Sequence, residues 1–230
     1  MKYNNLTMIG TSHIAKQSLD EVNNAITNIK PDIIAIELDK KRLYALMHPQ
    51  KRRIRLYDIR HIGLKGAAFS IIGAWVERKL GQLVGVKPGS EMKQAVKLAK
   101  KHEIQLALID QDIEITLRRF SKALTWREKW NFISDIFKAV VLKKREIDFD
   151  LRTVPNKNVI EKLMEQTKKR YPHIFRVLVT ERDEVMANNL SNLMEKHSDK
   201  KILAIVGAGH EEEIIRLIRE PRIRYSLSIV

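Results

Sequence analysis

Two histidines follow glycines at the same spacing near opposite ends of the chain. One Gly-x-x-His motif runs from Gly10 to His13 and the other from Gly207 to His210, and each follows an apolar run that predicts a β-strand. Two imidazoles brought together can bind a divalent ion of manganese, cobalt, zinc or iron. Such an ion lowers the pKa of a bound water and polarises a carbonyl, so the chemistry would be hydrolysis. The spacing alone equally fits histidines that only hydrogen-bond a strand-ending loop.

Carboxylates end two further apolar runs. Glu37 closes the run that starts at Ile33, and a buried carboxylate there is costly unless a metal or an arginine such as Arg42 pairs with it. Asp110 follows the run 104–109, where a salt bridge is the favoured interpretation and a cap of the next helix the alternative. In open parallel sheets, ligands bind at the carboxyl ends of the strands. That edge is therefore predicted to carry His13, Glu37, Asp110 and His210.

A long helix is predicted from about residue 172 to 197, with Pro172 in its first turn. Glu181 and Arg182 lie among apolar residues of this helix, so one of them is predicted to reach the site. The alternative is a network of ion pairs on the helix surface.

These side chains need a fold that brings strand ends together. The run from Ile33 does not alternate, which is typical of a strand covered on both faces in a parallel sheet. Ser18 with Glu21 predicts a capping box at the start of one helix, and Ser90 predicts the N-cap of another. We therefore predict one α/β domain over residues 1–230, with a mixed, mainly parallel sheet and flanking helices. Helical insertions at about 40–88 and 113–198 would cover its carboxyl edge.

The composition narrows the class of protein and of partner. The absence of cysteine excludes disulfides and thiolate metal sites, and fits an intracellular protein. The formal charge of +15 favours an anionic partner, with the basic cluster Lys51 to Arg55 and the apolar segment Ile62 to Val86 as candidates for docking to an anionic membrane surface. No RNA-binding motif, zinc finger or basic zipper surrounds that cluster, so nucleic acid is disfavoured. Residues 222–229 alternate and predict a last strand.

Six segments keep a recognisable order along nearly the whole chain. They are Gly10 to Ala15 with Ser18, Pro31 to Asp39 with Arg42, Gly85 to Met92, Ile109 to Ile113 with Thr116 to Arg119, Glu181 to Asp183 with Met186 and Ala187, and Val206 to His210. Together they resemble the TraB/PrgY pheromone-shutdown family in its archaeal and bacterial form. The resemblance implies a relationship to the Tiki and GumN proteins, and a fold like those of the erythromycin-esterase and ChaN groups.

The resemblance also implies a function and a site. Tiki proteins are metal-dependent peptidases, and paired Gly-x-x-His motifs with a strand-end glutamate mark the site in that group. Carried over, this implies His13, His210 and Glu37 as metal ligands, with Glu37, Glu181 and Arg182 as catalytic residues. The implied activity is metal-dependent hydrolysis that limits peptide-pheromone-like signals.

The alternative function is a non-catalytic protein that binds a peptide or partner, and a homo-oligomer stays open in either case. The resemblance further implies a location in the cytoplasm or at the cytoplasmic face of the membrane. Many family members carry transmembrane helices after this domain, so two alternatives stay open: a longer protein with such a C-terminal region, or a short soluble member of the family.

Overall fold

A five-stranded mixed sheet lies at the centre of the fold. A computed structural model of the chain describes residues 1–11, 16–48, 89–123, 125–128, 130, 131, 134, 135 and 157–220. The strands of this part of the chain are β1 (Lys2–Tyr3), β2 (Leu6–Thr11), β3 (Ile33–Ile36), β4 (Gln105–Leu108) and β5 (Ile202–Gly207).

The strand order is β1-β2-β5-β3-β4, so the last described strand lies between the second and the third. The pairs β2 with β5, β5 with β3 and β3 with β4 are parallel. The edge strand β1 pairs antiparallel with β2, opposing Lys2 to Thr7. The predicted fold class, an α/β protein with a mixed, mainly parallel sheet and flanking helices, is confirmed.

Helices connect the strands and cover both faces of the sheet. The α-helices whose bounds the structure describes are α1 (Lys16–Ile29), α2 (Lys40–Met47), α3 (Ser90–Lys101), α4 (Ile113–Ala123), α5 (Lys157–Arg170), α6 (Pro172–Phe175), α7 (Glu181–Lys196) and α8 (Glu211–Arg219). A π-helical segment, Arg176–Thr180, joins α6 to α7. The predicted long helix therefore exists, but five of its residues have the wider i to i+5 pattern.

Each face of the sheet has its own hydrophobic core, because alternate residues of a strand point to opposite sides. On one face, Met8 and Ala204 pack in a cluster with Met186 of α7 and Ile214 of α8. The other face packs β3 and β5 against α1 and α3, through residues that include Ile34, Ile205, Val22 and Met92. All four residues of β3 are fully buried. This double burial explains why the run from Ile33 is apolar without alternation.

Two predicted helix caps are wrong. Helix α1 already includes Lys16, so Ser18 lies inside its first turn, fully buried, and is not the N-cap. Helix α3 begins at Ser90, and its N-cap is Gly89, whose φ of 74° lies in the left-handed region. A glycine reaches that conformation without the steric cost of a Cβ atom, so the backbone turn, rather than a serine hydroxyl, begins α3.

Three predicted features lie outside the described residues: the basic cluster Lys51 to Arg55, the apolar segment Ile62 to Val86 and the strand over 222–229. Among the helices that the structure describes, none is both long enough and apolar enough to cross a membrane.

Candidate functional site

The two Gly-x-x-His turns begin on neighbouring strands. Parallel pairing of β2 with β5 opposes Gly10 to Val206 and Thr11 to Gly207, so the turns leave the sheet side by side, offset by one residue. The backbone N–H of Ala208 donates to the carbonyl of Thr11 at 2.9 Å, and this hydrogen bond links the two segments where the strands end. His13 lies outside the described residues, whereas the second motif is described through its histidine.

Gly10 allows this close approach. A Cβ atom at position 10 would lie 2.9 Å from the Cα of Ala208 and 2.7 Å from Oε2 of Glu211. Real Cβ atoms essentially never come that close to another heavy atom. The first glycine of the motif therefore serves the packing of one turn against the other.

Glu37 directly follows β3 and is nearly inaccessible, with 4% of the residue exposed. Its Oε2 accepts a hydrogen bond of 2.6 Å from the backbone N–H of Gly207 on the adjacent strand. Its Oε1 accepts a hydrogen bond from Nη2 of Arg182. The buried charge that the sequence predicted is thus compensated by an arginine of α7 and by the backbone of β5.

Arg182 bridges Glu37 to Asp110. Its Nη2 lies 2.6 Å from Oδ2 of Asp110, and its Nε lies 3.1 and 3.2 Å from the two carboxylate oxygens of Asp110. Its Nη1 donates to the carbonyl of Leu178 at 3.0 Å, on the π-helical segment. Burial lowers the pKa of Arg182, but the charge of Glu37 and the hydrogen bond to Asp110 outweigh burial and raise it. The guanidinium therefore stays charged at this edge of the sheet.

A second arginine completes the ion-pair network. Arg42 of α2 donates from Nε to Asp39 at 2.7 Å and from Nη2 to Asp110. Asp39 also caps α2 by accepting from the backbone N–H of Lys41 at 2.8 Å. Asp110 thus pairs with two arginines, whereas the neighbouring Asp112 accepts from the first turn of α4 and serves as the cap.

His210 is the N-cap of α8 and lies between two carboxylates. Its Nδ1 lies 2.6 Å from Oδ1 of Asp183, and its Nε2 lies 3.6 Å from Oε1 of Glu37. Burial lowers the pKa of His210, but the charge of Glu37 and the hydrogen bond to Asp183 outweigh it and raise the pKa above 6.5. Asp183 therefore orients the imidazole, and Nε2 faces Glu37.

Asp183 is a site residue that sequence reasoning missed. It precedes Met186 by three positions, Ala187 by four and Leu190 by seven, so it continues the buried stripe of α7. A carboxylate on such a stripe requires a partner, and that spacing was the available signal. The side chain is 1% exposed, and its partner is His210.

Glu181 does not join the site. Its carboxylate lies 2.9 Å from Nη1 of Arg119 and 3.6 Å from Nε of Arg176. Successive residues of an α-helix are turned by about 100°. The long side chain of Arg182 reaches the sheet edge, and Glu181, one position earlier, faces α4 and the π-helical segment.

The spacing of two donor atoms, His210 Nε2 and Glu37 Oε1, is compatible with a shared divalent ion. Two ligands that hold a tetrahedral ion at about 2.1 Å lie about 3.4 Å apart, and His210 Nε2 and Glu37 Oε1 are 3.6 Å apart. In known metal sites a carboxylate commonly contacts the second nitrogen of a ligating histidine, and Asp183 has that position relative to His210. No three histidine, aspartate or glutamate side chains of the described residues form a complete ligand group. His13, the predicted third ligand, is not among those residues.

Comparison with known proteins decides the family. A model described as the TraB/PrgY/gumN family matches residues 2–223. This chain belongs to the TraB/PrgY/gumN family. A Methanocaldococcus jannaschii protein described as uncharacterized is 36% identical over 93% of this chain and 53% of its own length. TraB domain-containing proteins of Mus musculus and Homo sapiens are each 22% identical over 88% of this chain and 60% of their own. This TraB-family chain thus spans between about half and three fifths of these relatives.

Proposed function

We propose that this TraB-family chain is a metal-dependent hydrolase of peptides, with its centre at His210 and Glu37. The convergence of His210 Nε2 and Glu37 Oε1, 3.6 Å apart at the carboxyl edge of the sheet, carries the proposal. A hydrogen bond fixes each group: His210 contacts Asp183 through Nδ1, and Glu37 accepts from the backbone N–H of Gly207. Such preorganisation is what a metal ligand needs.

The charge balance of the cluster also supports a cation. Among the described side chains, four carboxylates face two guanidiniums, which leaves two negative charges when the imidazole is neutral. The carboxylates are Glu37, Asp39, Asp110 and Asp183, and the guanidiniums are those of Arg42 and Arg182. Negative charge of these described side chains would attract a divalent ion to this edge of the sheet.

The residues would divide the work as follows. His210 and His13 would hold the ion, and Glu37 would hold it or accept a proton from the attacking water. Bound there, the ion would supply a water of lowered pKa and polarise the scissile carbonyl. Asp183 would keep Nε2 of His210 directed at the site. The peptide as substrate rests on the resemblance to the Tiki proteins.

One observation favours a second candidate, a protein that binds a peptide or partner without cleaving it. Oε1 of Glu37 already accepts a hydrogen bond from Arg182, so an arginine neutralises this carboxylate without an ion. In that case the edge of the sheet would be a charged binding cleft.

Metal analysis and a peptide-cleavage assay separate the two candidates. We expect the purified protein to bind Zn²⁺ or Mn²⁺ and to cleave members of a peptide library, and His210→Ala to lose both properties. The matched control is His102→Ala, because His102 is exposed at the end of α3. Absence of metal affinity together with cleavage that is unchanged in His13→Ala would refute metal-dependent hydrolysis at this centre. Peptide binding by the original protein with neither metal affinity nor cleavage would support the second candidate.

A further inference from the structure

Arg182 occupies the same carboxylate oxygen that the proposed metal ion would use. We propose that Arg182 is an exchangeable counter-ion: a divalent cation displaces it from Glu37, while Asp110 retains it. This inference rests on the proposed function, and it assigns to Arg182 the control of metal affinity rather than a catalytic step.

The contacts of Arg182 make the exchange feasible. One nitrogen, Nη2, donates to both Glu37 and Asp110, so it can leave the first carboxylate without losing the second. Nε keeps its hydrogen bonds of 3.1 and 3.2 Å to Asp110, and Nη1 keeps the carbonyl of Leu178. The guanidinium is therefore never left buried without a partner, which is the costly outcome when an ion pair is broken.

The geometry at Glu37 makes the competition direct. Oε2 is held by the N–H of Gly207, so Oε1 is the oxygen that faces Nε2 of His210 at 3.6 Å. The same Oε1 accepts from Arg182. A cation held between His210 and Glu37 must therefore share or take this oxygen from the guanidinium. Without an ion, Arg182 compensates the charge of Glu37.

Arg42 offers a matched control. It has the same charge and bonds the same carboxylate of Asp110, but its other partner in the described part of the chain is Asp39. If Arg182 acted only through long-range repulsion of a cation, removing either arginine would have a similar effect. Direct competition for Glu37 predicts a large effect for Arg182 alone.

Isothermal titration calorimetry with Zn²⁺ and Mn²⁺, titrated separately, tests the inference on the full chain. We expect Arg182→Gln to bind either ion at least about tenfold more tightly than the original protein, since a hydrogen bond to a charged group is removed. Arg42→Gln should change the affinity less than about threefold, and His210→Ala should abolish the gain when combined with Arg182→Gln. Circular dichroism checks that each variant is folded.

The outcomes separate the inference from the proposed function. If the original protein binds metal and Arg182→Gln binds no more tightly than Arg42→Gln, the counter-ion role is wrong and the metal site stands. If no folded variant binds either ion, both proposals fall. Should Arg182→Gln not fold, Arg182→Lys replaces it, because the lysine side chain ends one bond short of the position of Nη2, the nitrogen that contacts both Glu37 and Asp110. A folded Arg182→Lys variant with unchanged or weaker affinity would overturn the counter-ion role.

Discussion

Replacing Asp183 by asparagine is expected to weaken metal binding by disturbing His210 rather than by removing a ligand. The carboxylate accepts the 2.6 Å hydrogen bond from Nδ1 of the imidazole, and the side chains of Asp183 and His210 are 1% and 13% exposed. Asparagine has nearly the same shape and keeps one acceptor oxygen. Its loss of charge removes the preference for an imidazole with the proton on Nδ1.

The magnitude follows from the burial and charge of this contact. A hydrogen bond to a charged group contributes about 1.5 to 3 kcal/mol, which corresponds to roughly 10- to 150-fold in an equilibrium constant. We expect Asp183→Asn to fall near the lower end, about tenfold, because an acceptor remains. Asp183→Ala removes the acceptor and should approach about a hundredfold, as outer partners of ligating histidines do when they are lost.

Two measurements check this prediction. Calorimetry gives the metal affinity, and an NMR titration of the imidazole gives the tautomer and pKa of His210, which should fall when the charge of Asp183 is removed. The control is Asp199→Asn, the same change at an exposed position. If Asp183→Asn leaves both the tautomer and the affinity as they are in the original protein, Asp183 does not orient His210.

Three further predictions concern stability and the limits of the site. In the metal-free protein the raised pKa of His210 stabilises the fold fully below 6.5, and this contribution is lost as the pH rises through the raised value. We therefore expect the difference in free energy of unfolding between the original protein and His210→Gln, measured by urea titration, to be largest at a pH of about 6. A difference that grows as the pH rises would contradict this. Glu181→Gln should cost less than about 1 kcal/mol of stability, since the ion pairs of this residue involve exposed arginines, and calorimetry should show unchanged metal affinity. Gly10→Ala should destabilise by about 1 to 3 kcal/mol in thermal unfolding, because of overpacking against Ala208 at 2.9 Å. Gly209→Ala meets only a flexible thioether at 3.2 Å and should be tolerated.

The sheet and the carboxyl edge that carries the candidate site could be predicted from the sequence because they depend on local patterns. The unalternating run from Ile33 indicated a strand buried on both faces, and β3 is one. The sequence also indicated that Glu37 needs a partner, because burying an unpaired carboxylate at the end of an apolar strand is costly. The predicted cap at Ser18 was wrong because a serine followed by a glutamate satisfies the capping pattern equally well inside a first turn, and only packing shows which occurs.

The partners within the site could not be predicted, since they are distant in sequence. Glu37 and Arg182 are 145 positions apart, and His210 and Asp183 are 27 apart. The stripe spacing on α7 indicates that Asp183 is buried, but it does not indicate which side chain opposes it. The helical pattern did not indicate whether Glu181 or Arg182 reaches the site. In the structure the orientation of α7 on the sheet places Arg182 at the edge and directs Glu181 towards Arg119.

The amino-acid sequence by itself indicated the four strands β2 to β5, the histidines and carboxylates that follow them, and the family that the chain belongs to. Local propensity and the period of apolar residues are sufficient for that, because both act over a few neighbouring positions. Only the tertiary structure decided that β5 lies between β2 and β3, which brings the N–H of Gly207 to Glu37 and His210 close to the same carboxylate. Hydrogen bonds and charge compensation at such a site require desolvated groups in fixed positions, and burial of both sheet faces supplies these after the chain has folded.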